Sequence, residues 1–391
     1  MRGTSVARFS VIWVLVAGTV LLTTCGGQAA TQYRLTGLGT FPGGSWSHAY
    51  GVNDAGQVVG ESECLYEGPE PGTCYNVYGF VWQTGSGMRD LGDRVYVDCW
   101  SEAYSINATG QIVGSRGEGY GGSAFMWSAG GGMQAIPGMY CAYDVNDSGL
   151  AAGIYLDDYR QACVGNPTAG AVSLGGMWGV TPKWSEACSI NNGGQVVGTA
   201  YFQTGNDEGC FSWWGAFIWD AAAGMSPVAE DAWGYGVNDS GQVVGMVLNG
   251  VSQYEAFLWE SEPGLRMLGT LQNRSYSEAR AINGLGQIVG TSGNRDPLTG
   301  TISEHRAFLW TESDGMGDLN ELVDYSGDGW VLEYARDINN SGQIVGYGKN
   351  PSGQMEAFFL TPVPEPSSLL ALVCGLGGIG GMVWRRRVVG A

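Results

Sequence analysis

The hydrophobic positions of the chain fall in short bursts closed by turn residues, and the bursts recur in a fixed order. The phrase Asn-x-x-Gly-Gln-Val/Ile-Val-Gly begins at Asn53, Asn107, Asn191, Asn238, Asn283 and Asn339, and a degraded copy runs from Asn146 to Gly153. An aromatic phrase follows: Phe80-Val81-Trp82, Phe125-Met126-Trp127, Phe217-Ile218-Trp219, Phe257-Leu258-Trp259, Phe308-Leu309-Trp310 and Phe358-Phe359-Leu360. In the third unit it has decayed to Ala162-Cys163-Val164, and a methionine phrase such as Met88–Leu91 or Met316–Leu319 ends most units. Each unit thus predicts four short strands. The first ends at the Asn, the second is the β-branched Gln-Val-Val-Gly, the third is aromatic and the fourth carries the methionine. Asn at the first and Gly at the fourth turn position suit a type I turn. No long window shows a 3.6-residue apolar period, so helices should be nearly absent.

Four strands in a unit of roughly 40–50 residues is the pattern of a β-propeller blade. The chain ends interlock. Tyr33–Gly39 reads as a fourth strand lacking its first three, while Ala335–Asn339, Gln343–Gly346 and Ala357–Leu360 read as three strands lacking a fourth. Joining them closes a ring and removes exposed sheet edges. The expected fold is therefore all-β, a seven-bladed β-propeller over residues 30–361 with the first strand of each blade innermost. The small residues four before each Asn (Ala49, Ala103, Ala142, Ala187, Gly234, Ala279, Ala335) are expected to face a crowded axis. The Phe and Trp of the third strands are expected to pack between blades.

Residues 1–29 have the pattern of a secretory signal peptide: Arg2 and Arg8, an apolar run from Phe9 to Leu22, then the small residues of Gly27-Gln28-Ala29 before a cleavage point. Leu22-Thr23-Thr24-Cys25 is a poorer rival, a lipoprotein box with an oversized Thr before its cysteine. Residues 362–391 have three parts. Pro362–Ser367 is rigid and extended, Ser368–Trp384 is uncharged and apolar, and Arg385-Arg386-Arg387 follows. A run of about 17 residues is at the lower limit of a transmembrane segment, and the arginines would hold its end on the cytoplasmic side. With Pro364, Glu365, Pro366 and the three arginines in place, this tail resembles the PEP-CTERM sorting signal of Gram-negative bacteria. The resemblance implies an exosortase-type membrane protease as processing partner. It also implies passage through an inner-membrane-anchored precursor to the cell surface or the extracellular matrix. The repeats resemble the HAF repeat of secreted bacterial proteins, through Glu304–Trp310, Glu255–Trp259, and Leu268–Leu271 followed by Ala281–Asn283 and Gly286–Gly290. That family implies secretion and architecture but no activity.

Composition narrows the function. Gly is 67 of 391 residues without a Gly-X-Y period, and hydrophobic residues reach 44%, which excludes collagen and disorder. Basic residues number 18 against 37 acidic, a net charge of −19, so no nucleic-acid partner is expected. With only His48 and His305, a three-histidine metal site is impossible. Zinc-protease, phosphate-loop, nucleophile-elbow and Cys-x-x-Cys motifs are missing. No cofactor is expected, although Asp324 and Asp328 offer oxygens on a turn that calcium could use. With Cys25 and Cys374 set aside, seven cysteines remain, an odd number, and Cys64 and Cys74 flank one loop as a candidate disulfide.

A second aromatic set stands seven residues before the Asn: Trp46, Trp100, Trp184 and Tyr276, each followed by Ser and then by His48, Glu102, Glu186 or Glu278. Trp233 and Trp330 lie nearby in their units. In a closed ring these rings share one face, where aromatic surfaces beside acids and hydroxyls suit sugar rings; packing between blades is the plainer role. The expectation is a secreted, non-enzymatic surface or matrix protein without catalytic residues. It would bind exopolysaccharide or a surface partner through Trp46, Trp100, Trp184, Tyr276 and Trp330. The alternative is a carbohydrate-active enzyme, a glycosidase or lyase. It would need a carboxylate pair, and the irregular third unit, with Asp157, Asp158, Tyr159 and Arg160, is the place to look.

Overall fold

A computed structural model describes residues 32–363 apart from 68–72, 93–98, 119–120, 157–159, 178–179, 207–208 and 251–252. The expected signal peptide, residues 1–29, and the tail from residue 364 on lie outside the described residues. Strands form seven four-stranded antiparallel sheets, six of them ordered as the chain runs. The innermost strands are Ser47–Val52, Cys99–Ile106, Met139–Val145, Trp184–Ile190, Ala232–Val237, Tyr276–Ile282 and Val331–Ile338. The seventh blade takes Val331–Ile338, Ile344–Lys349 and Met355–Pro362 from the end of the chain and its outermost strand, Tyr33–Gly37, from the beginning. The ring is closed as the interlocking ends foretold. Among the described residues helix is confined to one turn, Leu319–Leu322, and a 3₁₀ turn, Tyr325–Gly327, between blades six and seven. Among the described residues no helix is long and apolar enough to cross a membrane.

The repeated Asn explains itself as a joint. All seven are buried. In the intact phrases the side-chain oxygen accepts the backbone N–H two or four residues on, capping its own turn. The side-chain nitrogen donates to the backbone carbonyl of the next blade's Asn. The sequence runs Asn53 to Asn107 at 3.1 Å, then through Asn146, Asn191, Asn238 and Asn283 to Asn339, which returns to Asn53 at 2.9 Å. The Gln four residues later accepts a further bond from the same nitrogen, as at Asn339–Gln343. Leu150 replaces it in the third unit, so that copy keeps the inter-blade bond without the local one.

The last Gly of the phrase is equally constrained. A Cβ at Gly60, Gly114, Gly153, Gly198, Gly245, Gly290 or Gly346 would lie 1.8–2.0 Å from a carbonyl oxygen of the innermost strand, where a β-bulge brings that backbone close. The Gly that ends the turn has φ near +75°, between +72° and +81° in all seven copies.

The third-strand phenylalanines Phe80, Phe125, Phe217, Phe257, Phe308 and Phe358 are fully buried between blades. The small residue four before each Asn is also buried, but it does not face the axis as expected. Ala103 packs with Val59, Val81 and Phe125, so its side chain points into the joint with the preceding blade. Neighbouring sheets, not a crowded axis, demand the small residue.

The proposed Cys64–Cys74 disulfide is not formed. Cys64 is a free, buried thiol. Its strand pairs it with Asn76, and Cys74 faces Tyr66 across the ladder, so the register sets the two cysteines on a diagonal.

Candidate functional site

Alternation along each innermost strand puts the residues three and five before the Asn on the side facing the axis. Together they line a central channel. Three before the Asn stand Tyr50, Tyr104, Tyr143, Cys188, Tyr235, Arg280 and Arg336, which with Glu186 surround a cavity of about 270 Å³. These side chains touch in sequence around the wall. Arg336 lies over Tyr50 at 5.3 Å, Tyr50 meets Tyr104 at 5.6 Å, Tyr104 meets Tyr143 at 5.5 Å, and Arg280 covers Tyr235 at 4.2 Å.

Five before the Asn stand His48, Glu102, Cys141, Glu186, Trp233, Glu278 and Tyr334. Glu278 is bonded by Arg280 through two nitrogens at 2.8 and 2.9 Å and by the Tyr276 hydroxyl at 2.7 Å. Burial alone would raise its carboxyl; Arg280 and the Tyr276 hydroxyl outweigh burial and hold it below the usual range. Glu102 and Glu186 are raised by burial, which in Glu186 outweighs the pull of Arg160 and Arg280. Tyr104 donates to Glu102 and Tyr50 donates to Glu61, and the nearby Glu61 charge adds to the rise of Glu102. Burial also raises Cys188, and Cys141 to about 12, so neither thiol offers a thiolate nucleophile near neutral pH.

Below this layer two aspartates pin blades together. Asp144 accepts from Ser105, Ser189 and the Ile190 and Val145 amides. Asp337 accepts the amides of Val52 and Ile338, each at 2.8 Å, and burial raises it to about 7. A carboxyl whose folded pKa exceeds its unfolded value binds its proton more tightly in the fold. Stability is therefore expected to fall as pH rises from about 4 to about 7, with Glu102 and Glu186 adding the same sign. Melting temperature against pH checks this, and Asp337→Asn should flatten the profile.

At the mouth where the innermost strands begin, aromatic rings gather in two arcs. One runs Trp46–His48–Tyr347–Tyr334–His305 across blades one, seven and six, with centroids 4.1–4.8 Å apart. The other runs over blades four and five. Trp214 meets Tyr201 at 4.8 Å, Trp184 at 5.3 Å and Trp233 at 6.4 Å, and Trp233 meets Tyr254 at 5.6 Å. Trp214 is 36% exposed. Tyr201 and Trp214 are cross-strand partners on a long hairpin, Val196–Asn206 and Gly209–Asp220, which rises beside the mouth. Val58–Glu67 with Thr73–Gln83, and Ile288–Arg295 with Ile302–Thr311, rise likewise on blades one and six.

Of the expected site residues, Trp46 and Trp184 belong to these arcs, and Trp100 is half-buried on the innermost strand of blade two. Tyr276 turns inward, buried on Glu278. Trp330 packs on the core of blade seven against Gly37 and belongs to neither arc. The Ser after each expected aromatic is structural. Ser47, Ser101, Ser185 and Ser277 are buried and accept the amides of Ala357, Gly79, Ala162 and Ala256 in the preceding blade. The Asp324–Asp328 turn makes no calcium cage: Asp324 caps the 3₁₀ turn through Ser326 and faces Arg34 at 3.6 Å. Among the described residues no three acids, histidines or cysteines gather to hold a metal. In the third unit Asp157, Asp158 and Tyr159 lie outside the described residues, while Arg160 rests over Tyr140 at 5.9 Å.

Residues 362–387 match the PEP-CTERM protein-sorting motif. The motif implies export, processing by the membrane protein exosortase, and a destination at the cell surface. No curated protein matches the chain. Among solved structures, the β-propeller domain of the Trilobed protease from Pyrococcus furiosus is similar with a TM-score of 0.51 at 8% identity, over 82% of this chain and 94% of that domain. That domain has an open velcro topology, whereas here Tyr33–Gly37 completes the last sheet. Pyrococcus horikoshii acylaminoacyl peptidase is similar with a TM-score of 0.50 at 8% identity, over 83% of this chain. The match takes in 53% of that peptidase, so this chain spans about half its length. Likeness at this identity shows the propeller fold alone.

Proposed function

We propose that the protein is a non-enzymatic surface or matrix component that binds exopolysaccharide across its aromatic mouth. The observation that supports this most is the blade-four step, where the exposed face of Trp214 continues through Trp184 and Trp233 beside channel acids and hydroxyls. A pyranose ring offers an apolar face to stack and hydroxyls to hydrogen-bond, and this surface supplies partners for each. Export to the surface brings the mouth to such polymers.

The enzymatic reading finds less support. Glu61 and Glu102, the acids a glycosidase reading would turn to, are each engaged by neighbouring side chains, Glu61 by Tyr50 and His48 and Glu102 by Tyr104 and Ser115.

The test mixes the exported protein with extracellular polysaccharide of its producing organism, following tryptophan fluorescence and polymer size together. The expected result is saturable quenching with polymer length unchanged. Trp214→Ala should weaken binding about tenfold, the value of one lost stacking contact. Shortening of the polymer would overturn the non-enzymatic reading, and no response at all would overturn binding.

A further inference from the structure

Two arginines occupy equivalent places in the channel wall, and the chain treats them differently. Arg280 has Glu278 two residues before it on the same strand, and the pair is closed at 2.8 Å. Two residues before Arg336 stands Tyr334 instead. Among the described residues no carboxylate lies within ion-pair distance of Arg336, whose recorded contact is the face of Tyr50. The carboxylates of the surrounding strands are engaged elsewhere. Glu61 takes His48 at 3.0 Å and Tyr50, Glu333 takes Lys349 at 2.9 Å, and Asp337 takes two backbone amides. A guanidinium therefore stands in the wall of a cavity of about 270 Å³ with its planar fork of donors open. That volume corresponds to about nine waters, and the cavity lies beneath the aromatic mouth.

We propose that Arg336 receives the carboxylate of an acidic sugar, so that the polysaccharide class this protein takes is uronate-bearing. The inference rests on the reading of the mouth as a polysaccharide site and adds its specificity. A carboxylate matches the guanidinium fork with two parallel hydrogen bonds. Glu278 acts on Arg336 only through space, its oxygens being taken by Arg280 and Tyr276, so an entering anion would supply the hydrogen-bonded partner that the guanidinium lacks among the described residues. The aromatic arcs would hold sugar rings by their faces, while Arg336 reads the charged substituent of the ring that reaches into the channel.

Calorimetry on the full chain tests this with four named probes: oligogalacturonides, the same oligomers after carboxyl reduction, free glucuronate and free glucose. The wild type is expected to bind the acidic oligomers about tenfold more tightly than the reduced ones, the effect of a charge-assisted hydrogen-bonded pair. Arg336→Gln should erase that preference and leave the reduced form unchanged. Arg336→Lys should keep only part of it, since an ammonium supplies charge without the fork; near-UV circular dichroism checks that both variants fold. Equal binding of the two oligomers by the wild type, or a preference that survives Arg336→Gln, overturns the inference. Trp214→Ala should weaken both oligomers alike, which reports on the mouth separately. If neither oligomer binds but glucuronate still binds over glucose through Arg336, the mouth reading fails and the arginine site stands. If none of the four probes binds, both fall.

Discussion

Arg280→Ala is expected to destabilise the protein by about 3 kcal/mol, measured as a shift in the urea midpoint. Glu278 would remain buried, held only by the Tyr276 hydroxyl, and breaking a buried pair typically costs about 3–5 kcal/mol. The lower figure applies because Arg280 is itself about a quarter exposed to the channel, 26% for its side chain against 8% for Glu278. The pH dependence identifies the cause. In the wild type the Glu278 carboxyl is held low, so its contribution is present above the unfolded value and is lost as pH falls through the folded one. In the variant the same carboxyl is desolvated with only the more distant Arg336 acting on it, and its folded pKa rises. The deficit should therefore narrow as pH falls through the variant's raised value and on toward the wild type's lowered one, below which Glu278 is neutral in each protein. A deficit that is the same at pH 3 and pH 7 would show that lost packing, not the stranded charge, is responsible.

Gly245→Ala is expected to cost about 3 kcal/mol, at the upper end of what overpacking does. The added carbon would sit 1.9 Å from the Trp233 carbonyl oxygen and 2.9 Å from the Phe257 ring, so backbone must move rather than a side-chain tip. Gly130→Ala is the control, since nothing lies within 4 Å of its added Cβ and its backbone needs no left-handed conformation. Equal denaturation midpoints for the two variants would contradict the account of the repeat's final glycine as a contact residue.

These positions also show what could be read from the residues alone. The fold was legible because its joints recur: Asn for turn and neighbour and Gly for the close strand in all seven units, and Phe for the space between sheets in six. The channel was not, since its lining varies by design of the site. The position three before the Asn holds Tyr, Tyr, Tyr, Cys, Tyr, Arg and Arg, and a search for sameness passes over it. The useful signal was the alternation itself. Once Glu102 was placed five before its Asn, the next axis-facing position was three before. Trp214 and Tyr201 were missed for another reason: they belong to a hairpin extension that no other unit shares in sequence. Trp330 misled because its distance from Asn339 exceeds that of the other aromatics from theirs, and a bulge between Leu332 and Glu333 or Tyr334 changes the register of its strand.

The circle of asparagines has one more property. Every blade gives one bond forward and takes one from behind, so no member is first or last, and the chain's own starting point leaves no mark on the loop. Asn339 to Asn53 spans 286 positions in sequence yet measures 2.9 Å, within the 2.9–3.2 Å of the other six. Such a link is indifferent to order and to number. A unit could be duplicated, deleted or moved to the other end without stranding a single donor. What stops the count at seven must then lie in the wedge shape of the packed sheets, and the hydrogen-bonded loop ratifies whatever number that shape allows.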